Sequence, residues 1–460
     1  MPPAKSVILL ELNELTPKLM FRFIEEGHLP HFARLFSESK VFTTDAEEAG
    51  FNLNPWIQWV TVHSGVPFSE HGVFLLGEGQ KVESKGLVDL VSDAGKRVWM
   101  CGSMNVRFQT PLCGAALPDP WAADIDPYPL ELLPYFRFVR HHVQEHTNEE
   151  SRLGLRDQLA FARFMAGHGL RPSTVWQIAR QLLDERSGRN RWKRVAILDR
   201  LQWDLFHWYY RRLQPHLATF FLNSVAHLQH THWRELEPDK FKLKPSPAEQ
   251  AEFEQAILFG YRENDRLVGK FLELAGDDTT IVFCSALSQQ PDVRWEDKGG
   301  RVFYRPRNFD ALVAFAGITA ACKSAPVMSE EFWLEFQDEA AAREAGRRLA
   351  DLGVGEHPAF RVDVRGTEVY AGCAITSPVP GGVMLTNRAS GRSVRFFELL
   401  YQADTVKSGV HHRDGLLWIR TPDRRHAVHL ERVPLTSIAP TVLGLLDVPV
   451  PSYMQGKPLL

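Results

Sequence analysis

Acidic, amide and histidine side chains follow three predicted strands of this 460-residue chain. The runs at residues 6–11 (SVILLE), 218–222 (ATFFL) and 280–284 (TIVFC) are largely apolar, as expected of strands buried in a parallel sheet. Ligands of open α/β sheets collect at the carboxyl ends of the strands, so polar residues there are predicted to line one site. Those residues are Glu11, Asn13, Glu14, Asn223, His227, His230, Ser288, Gln289 and Gln290.

Carboxylates and histidines in one site are suited to acid–base chemistry or to metal binding. A Glu and an imidazole within reach of a substrate can transfer protons at neutral pH, and both groups are common zinc ligands. Glu11 falls inside or at the end of a predicted buried strand, where an ionised side chain is costly unless it is paired. That position indicates a functional carboxylate.

The elements that must position these residues alternate between strands and helices. The first strand is followed by a predicted helix that Thr16 can cap, that has Pro17 in its first turn and that ends at Gly27. A further strand is predicted at residues 97–101 (RVWMC), with helical patterns between the strands. This order predicts an α/β fold with a doubly wound, mostly parallel sheet.

Two segments are predicted to be inserted into this sheet. Residues 130–217 are aromatic-rich and helical, with a basic stretch at 186–194 (RSGRNRWKR), and are interpreted as a helical insertion or cap. Residues 301–400 contain a strand, helix, strand pattern, which predicts a small α+β subdomain. The predicted core then consists of residues 1–129, 218–300 and 401–460.

Composition and charge exclude several classes of protein. Apolar residues make up 44% and charged residues 24% of the chain, which excludes a disordered protein. The net charge of -3 gives no global attraction to nucleic acid, so no such partner is expected and any basic surface must be local. The longest apolar runs are far shorter than the roughly 20 residues of a membrane-spanning helix. Because the start lacks an apolar signal segment, the protein is expected to be cytoplasmic.

Seven segments, in order along the chain, carry a family resemblance. They are VILLELNELTPKLMFRFIEEGHLPHFARL at 7–35, NPWIQWVTVHSGVPFSEHGV at 54–73, ALPDPWA at 116–122, NSVAHLQHTHW at 223–233, YRENDRLVGKFLEL and TTIVFCSALS between 261 and 288, SGVHHRDG at 408–415 and APTVLGLLDVPVPSYMQGKPL at 439–459. Together they resemble the alkaline phosphatase superfamily, and within it the type I phosphodiesterase and nucleotide pyrophosphatase branch. The resemblance implies an alkaline-phosphatase-like α/β fold and a phosphoester substrate.

The resemblance also implies two metal ions, usually zinc, held by Asp and His ligands, with a Thr, Ser or modified Cys as nucleophile. This chain departs from that pattern. Asn13 stands at the position of the first Asp, and residues 53–57 (LNPWI) offer no hydroxyl where the nucleophile is expected. Ala286 and Leu287 replace an Asp and a His. The second metal site is therefore predicted to be lost.

Part of the other metal site is retained. His230 and His411 match two histidines of the family pattern, and an alternative register of the same segment pairs Asn223 with His227. His230 and His411 are predicted to hold one divalent metal weakly, zinc or manganese, or none.

The predicted site residues fall into two groups. The catalytic group is Glu11, Asn13, Glu14, Asn54, His230 and His411. The substrate-binding group is Gln58, His63, Asn223, His227, Ser288, Gln289, Gln290 and His412. Within the catalytic group, Glu11 or Glu14 is expected to exchange protons with His230 or His411.

The leading interpretation is a divergent hydrolase or transferase that acts on a phosphorylated, anionic small molecule without the usual zinc pair. Two alternatives stay open. One is a catalytically inactive pseudoenzyme that binds a ligand or partner. The other is a metal-independent transferase that acts on a glycan or nucleotide-sugar.

Overall fold

An eight-stranded mixed sheet forms the centre of the fold in the computed structural model, which describes residues 5–122, 125–144, 153–328, 330–403 and 406–460. The strands within these residues are β1 (Ser6–Leu12), β2 (Lys40–Asp45), β3 (Val98–Cys101), β4 (Gly114–Leu117), β5 (Leu217–Leu222), β6 (Thr279–Cys284), β7 (Ser288–Pro291), β8 (Tyr304–Pro306), β9 (Cys322–Pro326), β10 (Glu331–Phe336), β11 (Leu352–Val354), β12 (His357–Pro358), β13 (Phe360–Arg365), β14 (Glu368–Cys373), β15 (Met384–Asn387), β16 (Ser393–Arg395), β17 (Leu400–Gln402), β18 (Gly409–His412), β19 (Asp414–Arg420) and β20 (Ala427–Pro434).

The central sheet has the strand order β20, β2, β19, β6, β1, β5, β3, β4. The five strands from β6 to β4 run parallel, whereas β19 is antiparallel to both β6 and β2. The outermost strand, β20, is parallel to β2. The predicted mostly parallel sheet is therefore confirmed.

Helices cover both faces of this sheet. They are α1 (Pro17–Glu25), α2 (Pro30–Ser37), α3 (Pro55–Ser64), α4 (Phe68–His71), α5 (Leu87–Asp93), α6 (Leu133–Gln144), α7 (Leu155–Gly167), α8 (Pro172–Asp184), α9 (Val195–Leu213), α10 (Ser224–Leu236), α11 (Pro247–Phe253), α12 (Ala256–Ala275), α13 (Phe309–Ala316), α14 (Glu339–Ala350), α15 (Phe396–Leu399) and α16 (Ile438–Leu445). No helix in the described ranges has both the length and the apolar character that spanning a membrane requires.

Side chains alternate between the two faces of β1. Ile8 and Leu10 pack in a core with α1, α2, α9 and α12, while Val7 and Leu9 pack in a second core with α3, α5 and α16. This alternation follows from the two-residue repeat of a strand. All four side chains are almost fully buried, so β1 is covered on both sides as in a doubly wound sheet.

Helices α6 to α9 lie within the range predicted to be a helical insertion. The last of them, α9, packs directly on the central sheet. The ring of its Phe206 lies 5.2 Å from that of Phe220 on β5, and Trp203 lies 4.8 Å from Phe271 on α12. The covering layer of the sheet thus includes α9, and the boundary at residue 217 stays a prediction.

Residues 302–400 contain a hydrophobic cluster of their own. Two four-stranded sheets lie there, one with the order β13, β14, β10, β9 and the other with the order β12, β11, β15, β16. The strand, helix and strand recognised in the sequence are β10, α14 and β13. The boundaries at residues 129, 300 and 400 likewise stay predictions.

The register of the central strands places the carboxyl ends of β1, β5 and β6 side by side. Glu11 on β1 lies beside Phe221 of β5 and Cys284 of β6. Just beyond, the N–H of Asn13 donates to the carbonyl of Leu222 at 2.9 Å. The residues that follow these strands therefore lie at one edge of the sheet, where ligands of α/β proteins bind.

Candidate metal and active site

Glu14 stands in a left-handed turn after β1. Its φ angle is 61°, which is uncommon for a residue other than glycine and is found preferentially at functional sites. Two contacts hold this turn: its N–H donates to the carbonyl of Ser285 at 3.1 Å, and the Gln229 amide donates to its carbonyl at 2.7 Å. The Glu14 carboxylate is 2% exposed and faces two histidines.

These two histidines come from separate elements and converge on one oxygen of Glu14. His230 lies on α10, and its Nε2 is 3.2 Å from Oε2 of Glu14. His411 lies on β18, and its Nε2 is 3.6 Å from the same oxygen. The three candidate ligand atoms lie within 4.8 Å of one another. The side chains of His230 and His411 are 27% and 17% exposed, so the cluster is open to solvent on the histidine side.

A hydrogen bond on the far side of His230 fixes which ring nitrogen carries the proton. Its Nδ1 lies 2.9 Å from the carbonyl oxygen of Gly409, which can only accept. Nδ1 therefore donates, and in the neutral ring the Nε2 lone pair is directed at the Glu14 carboxylate. The ring of His411 likewise hydrogen bonds to the backbone of Leu53. Metal-binding histidines use one ring nitrogen in this way and bind the metal with the other.

The charges of the cluster favour a bound cation. Burial alone would raise the pKa of Glu14, but the charges of the protonated His411 and His230 rings and the hydrogen bonds that protonated His230 and Gln289 donate outweigh it and lower that pKa to about 2. Burial lowers the pKa of His411 to about 4, against the opposing effect of Glu14. Near pH 7 the carboxylate is thus ionised and the His411 ring neutral, which are the states that bind metal.

The donors fit one divalent cation and do not fit the pair that the sequence resemblance implied. Two imidazoles and one carboxylate form a common ligand set of catalytic zinc. The amide of Asn13 is already engaged: Nδ2 donates to Asn223 at 2.7 Å and to the Glu14 carboxylate at 2.9 Å, and Oδ1 accepts from Trp59 at 2.8 Å. Residues 286 and 287 are apolar and fully buried, so they offer no ligand.

Glu11 belongs to a second cluster, which is closed to solvent. Its Oε1 lies 2.9 Å from Nε2 of His63, and its Oε2 accepts from the Ser103 hydroxyl at 2.5 Å. None of the three residues is more than 2% exposed. Of the two carboxylates considered for acid–base chemistry, Glu14 faces the histidines of the open site, whereas both oxygens of Glu11 are engaged by His63 and Ser103.

Two predicted glutamines support the site from within. Gln289 is 1% exposed, and its Nε2 donates to the carboxylate of Glu14 and to the carbonyl of Ala226. Gln58 is equally buried, and its Nε2 donates to the carbonyl of Asn52 at 3.0 Å. Gln289 thus orients the carboxylate, whereas Gln58 holds the loop before α3.

Two predicted asparagines and one histidine lie at helix starts near the strand ends. Asn54 directly precedes α3, and Asn223 directly precedes α10. His227 lies on α10 three residues before His230. All three side chains of Asn54, Asn223 and His227 are half-buried, so each is partly accessible to a small ligand.

The remaining predicted residues lie on the paired strands β7 and β18. His411 pairs with Gln289, and His412 pairs with Ser288. His412 is half-buried, and its Nδ1 accepts the N–H of Asp414, while Ser288 is buried. Gln290 is exposed. Successive residues of a strand point to opposite sides, so His411 and His412 do not face the same site.

Sequence reasoning missed Ser103 and Gln229. Ser103 follows the end of β3, so the rule that selected residues after the other parallel strands also applies to it. Gln229 is fully buried on α10, and its Oε1 accepts from the Tyr261 hydroxyl at 2.9 Å. No sequence signal distinguishes Gln229 from other polar residues of that helix.

Solved structures with a similar fold cover nearly the whole chain. Wild-type alkaline phosphatase PafA is 12% identical over 100% of this chain and 99% of its own, with a TM-score of 0.49. An inactive form of murine ectonucleotide pyrophosphatase/phosphodiesterase 5, in complex with AMP, is 11% identical over 98% of this chain and 97% of its own, with a TM-score of 0.43. Phosphonate monoester hydrolase from Silicibacter pomeroyi is 10% identical over 99% of this chain and 76% of its own, with a TM-score of 0.44. No protein-family model and no curated protein matches the chain.

Proposed function

We propose that this protein hydrolyses a small phosphorylated molecule with the help of one divalent metal held by Glu14, His230 and His411. The observation that carries the proposal is the approach of two histidine Nε2 atoms to one carboxylate oxygen. The bond from Nδ1 of His230 to a carbonyl leaves its Nε2 without a proton in the neutral ring. A lone pair that faces an ionised carboxylate repels it unless a proton or a metal lies between them.

The phosphorylated substrate class is suggested by the seven sequence motifs and is compatible with the site. A bound divalent metal supplies Lewis-acid polarisation of a phosphoryl oxygen and lowers the pKa of a bound water. Around the histidines, the half-buried amides of Asn54 and Asn223 can hydrogen bond to phosphoryl oxygens. These neutral groups would orient an anionic substrate without competing for the metal.

The absence of a hydroxyl at residues 53–57 argues against a covalent phosphoryl-enzyme intermediate. Where Thr, Ser or modified Cys would form a covalent phosphoryl intermediate, this chain has the amide of Asn54. Water is then the direct nucleophile, and the phosphoryl group passes to it in one step. The bond from phosphorus to the leaving oxygen breaks as the bond to water forms, and the proton that the water loses passes to the solvent, because His230 and His411 are both proposed as metal ligands.

Phosphatase and phosphodiesterase assays test the proposal. The purified chain would be supplied with zinc or manganese and assayed with p-nitrophenyl phosphate and bis(p-nitrophenyl) phosphate. We expect metal-dependent turnover of at least one of them, and we expect Glu14→Gln and His230→Ala to reduce it by at least about 100-fold, more than outer-shell changes typically do. His412→Ala is the matched control, because this neighbouring histidine lies on the other side of β18.

Three results would contradict the proposal. Equal activity of the Glu14→Gln protein and the unaltered protein would show that turnover does not require the proposed metal ligand Glu14. Tight binding of phosphorylated compounds without turnover would favour the pseudoenzyme. Turnover of nucleotide-sugars in the presence of a chelator would favour the metal-independent transferase.

A further inference from the structure

Helix α8 exposes an apolar face to solvent. Val175, Trp176, Leu182 and Leu183 are 49%, 61%, 48% and 55% exposed. Val175 and Trp176 are followed seven positions later by Leu182 and Leu183. Because seven residues make about two helical turns, all four lie on one side of the helix. Thr174, on the other side, is buried. The helix is therefore amphipathic with its larger apolar face pointing away from the protein.

The preceding helix, α7, repeats this arrangement. Leu155 and Leu159 are 71% and 61% exposed and stand one turn apart. Phe164 and Met165 of the same helix are buried. Of the fifteen large apolar residues that are exposed within the described ranges, six lie on α7 and α8. Such a concentration marks an interaction surface rather than the scattered apolar residues of an ordinary surface.

Basic residues are concentrated in the part of the chain that contains these two helices. Residues 153–194 contain nine Lys and Arg but three Asp and Glu, although the whole chain has a net charge of -3. Exposed arginines stand next to the apolar side chains: Arg180 lies 5.5 Å over the ring of Trp176, and Arg163 is one turn after Leu159. Arg156, Arg163 and Arg180 lie on the two helices, and five of the nine basic residues follow α8 in the basic stretch at 186–194.

We propose that the exposed faces of α7 and α8 bind the surface of an anionic membrane. An amphipathic helix with apolar side chains flanked by arginine and tryptophan lies in the headgroup region of a bilayer. The apolar side chains enter the acyl boundary, while Arg163 and Arg180 remain at the level of the lipid phosphates, each adding attraction to negatively charged lipid. Trp176, with its amphipathic ring, suits the interface itself.

The charge of this segment favours an anionic membrane over a second copy of this chain as the binding partner of the two faces. A twofold dimer through these faces would bring together two copies of the same segment, each with nine Lys and Arg against three Asp and Glu. That repulsion opposes association, whereas an anionic lipid surface relieves it. The proposal does not depend on the proposed hydrolase activity, since α7 and α8 contribute no residue to the candidate site.

Vesicle co-sedimentation tests this surface. The full chain would be mixed with vesicles of phosphatidylcholine alone or of phosphatidylcholine with phosphatidylserine, at low and high salt. We expect binding to the mixed vesicles, weakened by salt, and a loss of about tenfold or more in the Trp176→Glu/Leu183→Glu variant. The control is Val428→Glu/Leu430→Glu, which changes two exposed apolar residues of β20 that are 52% and 93% exposed.

The outcomes separate the alternatives. Circular dichroism and thermal unfolding of both variants would verify that they fold, which is expected because the altered side chains are exposed. Failure of the unaltered protein to bind mixed vesicles would overturn the proposal, as would equal binding by the Trp176→Glu/Leu183→Glu variant. A dimer in analytical ultracentrifugation that this variant abolishes would identify a second copy as the occupant and also overturn it.

Discussion

Nε2 of His230 lies 3.2 Å from a carboxylate oxygen of Glu14, while the opposite nitrogen of the same ring is held by a backbone carbonyl. The contact joins a helix after β5 to the turn after β1, two strands that are neighbours in the sheet. In the neutral ring the Nε2 lone pair of His230 thus points into a site that also contains His411. A metal between these groups would turn mutual repulsion into coordination.

Gln289 is predicted to be a positioning residue for this site. Its amide donates to the Glu14 carboxylate, so Gln289→Leu should leave Asn13 as the remaining amide donor to that carboxylate and should lower zinc affinity by about 10–100-fold. Competition with a chromophoric chelator measures this affinity. Gln290→Leu is the matched control, because the neighbouring side chain is exposed. Equal affinities of the two variants would show that Gln289 does not orient the ligand.

Asp199 is predicted to make stability fall as the pH rises. Burial, together with the nearby Glu263, raises the pKa of Asp199 to about 7, whereas an unfolded chain has a value of about 4. Between these values the folded protein keeps a proton that the unfolded chain has lost, so this residue destabilises the fold increasingly from pH 4 to above pH 7.

The isosteric variant Asp199→Asn removes that titration. The free energy of unfolding of both proteins would be measured with urea. The value for the variant minus that for the unaltered protein should increase between pH 5 and pH 8, by at most about 4 kcal/mol. A stability difference that does not change with pH would contradict the prediction.

The buried cluster of Glu11, His63 and Ser103 is predicted to stabilise the fold. His63→Ala leaves a buried carboxylate with one hydrogen-bond partner, so it should cost about 3–5 kcal/mol in the free energy of unfolding. Ser103→Ala removes the hydrogen bond to Glu11 and the 3.2 Å contact with Nε2 of His63, and it should cost about 1–3 kcal/mol. Urea unfolding at neutral pH compares the two variants. A loss for His63→Ala below that for Ser103→Ala would contradict the account.

Hydrolysis is predicted to proceed without a phosphoryl-enzyme intermediate. A covalent intermediate can be attacked by an added alcohol, which then becomes phosphorylated. Since residues 53–57 carry no hydroxyl, turnover in the presence of ethanol should release inorganic phosphate alone. Phosphorus NMR of the products checks this expectation, and formation of ethyl phosphate would reveal a nucleophile elsewhere in the chain.

Much of the fold could be predicted from the sequence because its signals are local. The apolar run of β1, with Pro17 starting the next helix, is sufficient to recognise the first strand and helix. The same reasoning placed His230 and Glu14 after neighbouring strands. It could not show whether Glu11 or Glu14 faces the histidines of the open site, because that depends on the left-handed turn at Glu14.

Other features depend on contacts between distant residues. His63 was expected to bind substrate, yet the packing of α3 on the sheet places it against Glu11, 52 positions earlier. The engagement of Asn13 by Trp59 arises in the same way. Such side chains satisfy each other only after the helix and strand have met, and no periodic pattern records which partner each will find.

A single metal ion bound by Glu14, His230 and His411 can be detected by measuring metal content. Inductively coupled plasma mass spectrometry would be applied to protein purified without chelator and then equilibrated with zinc and desalted. We predict about one equivalent of zinc in the unaltered protein and in His412→Ala, and almost none in the His230→Ala/His411→Ala variant. Absence of stoichiometric metal from the unaltered protein, or its full retention by the double variant, would contradict the claim.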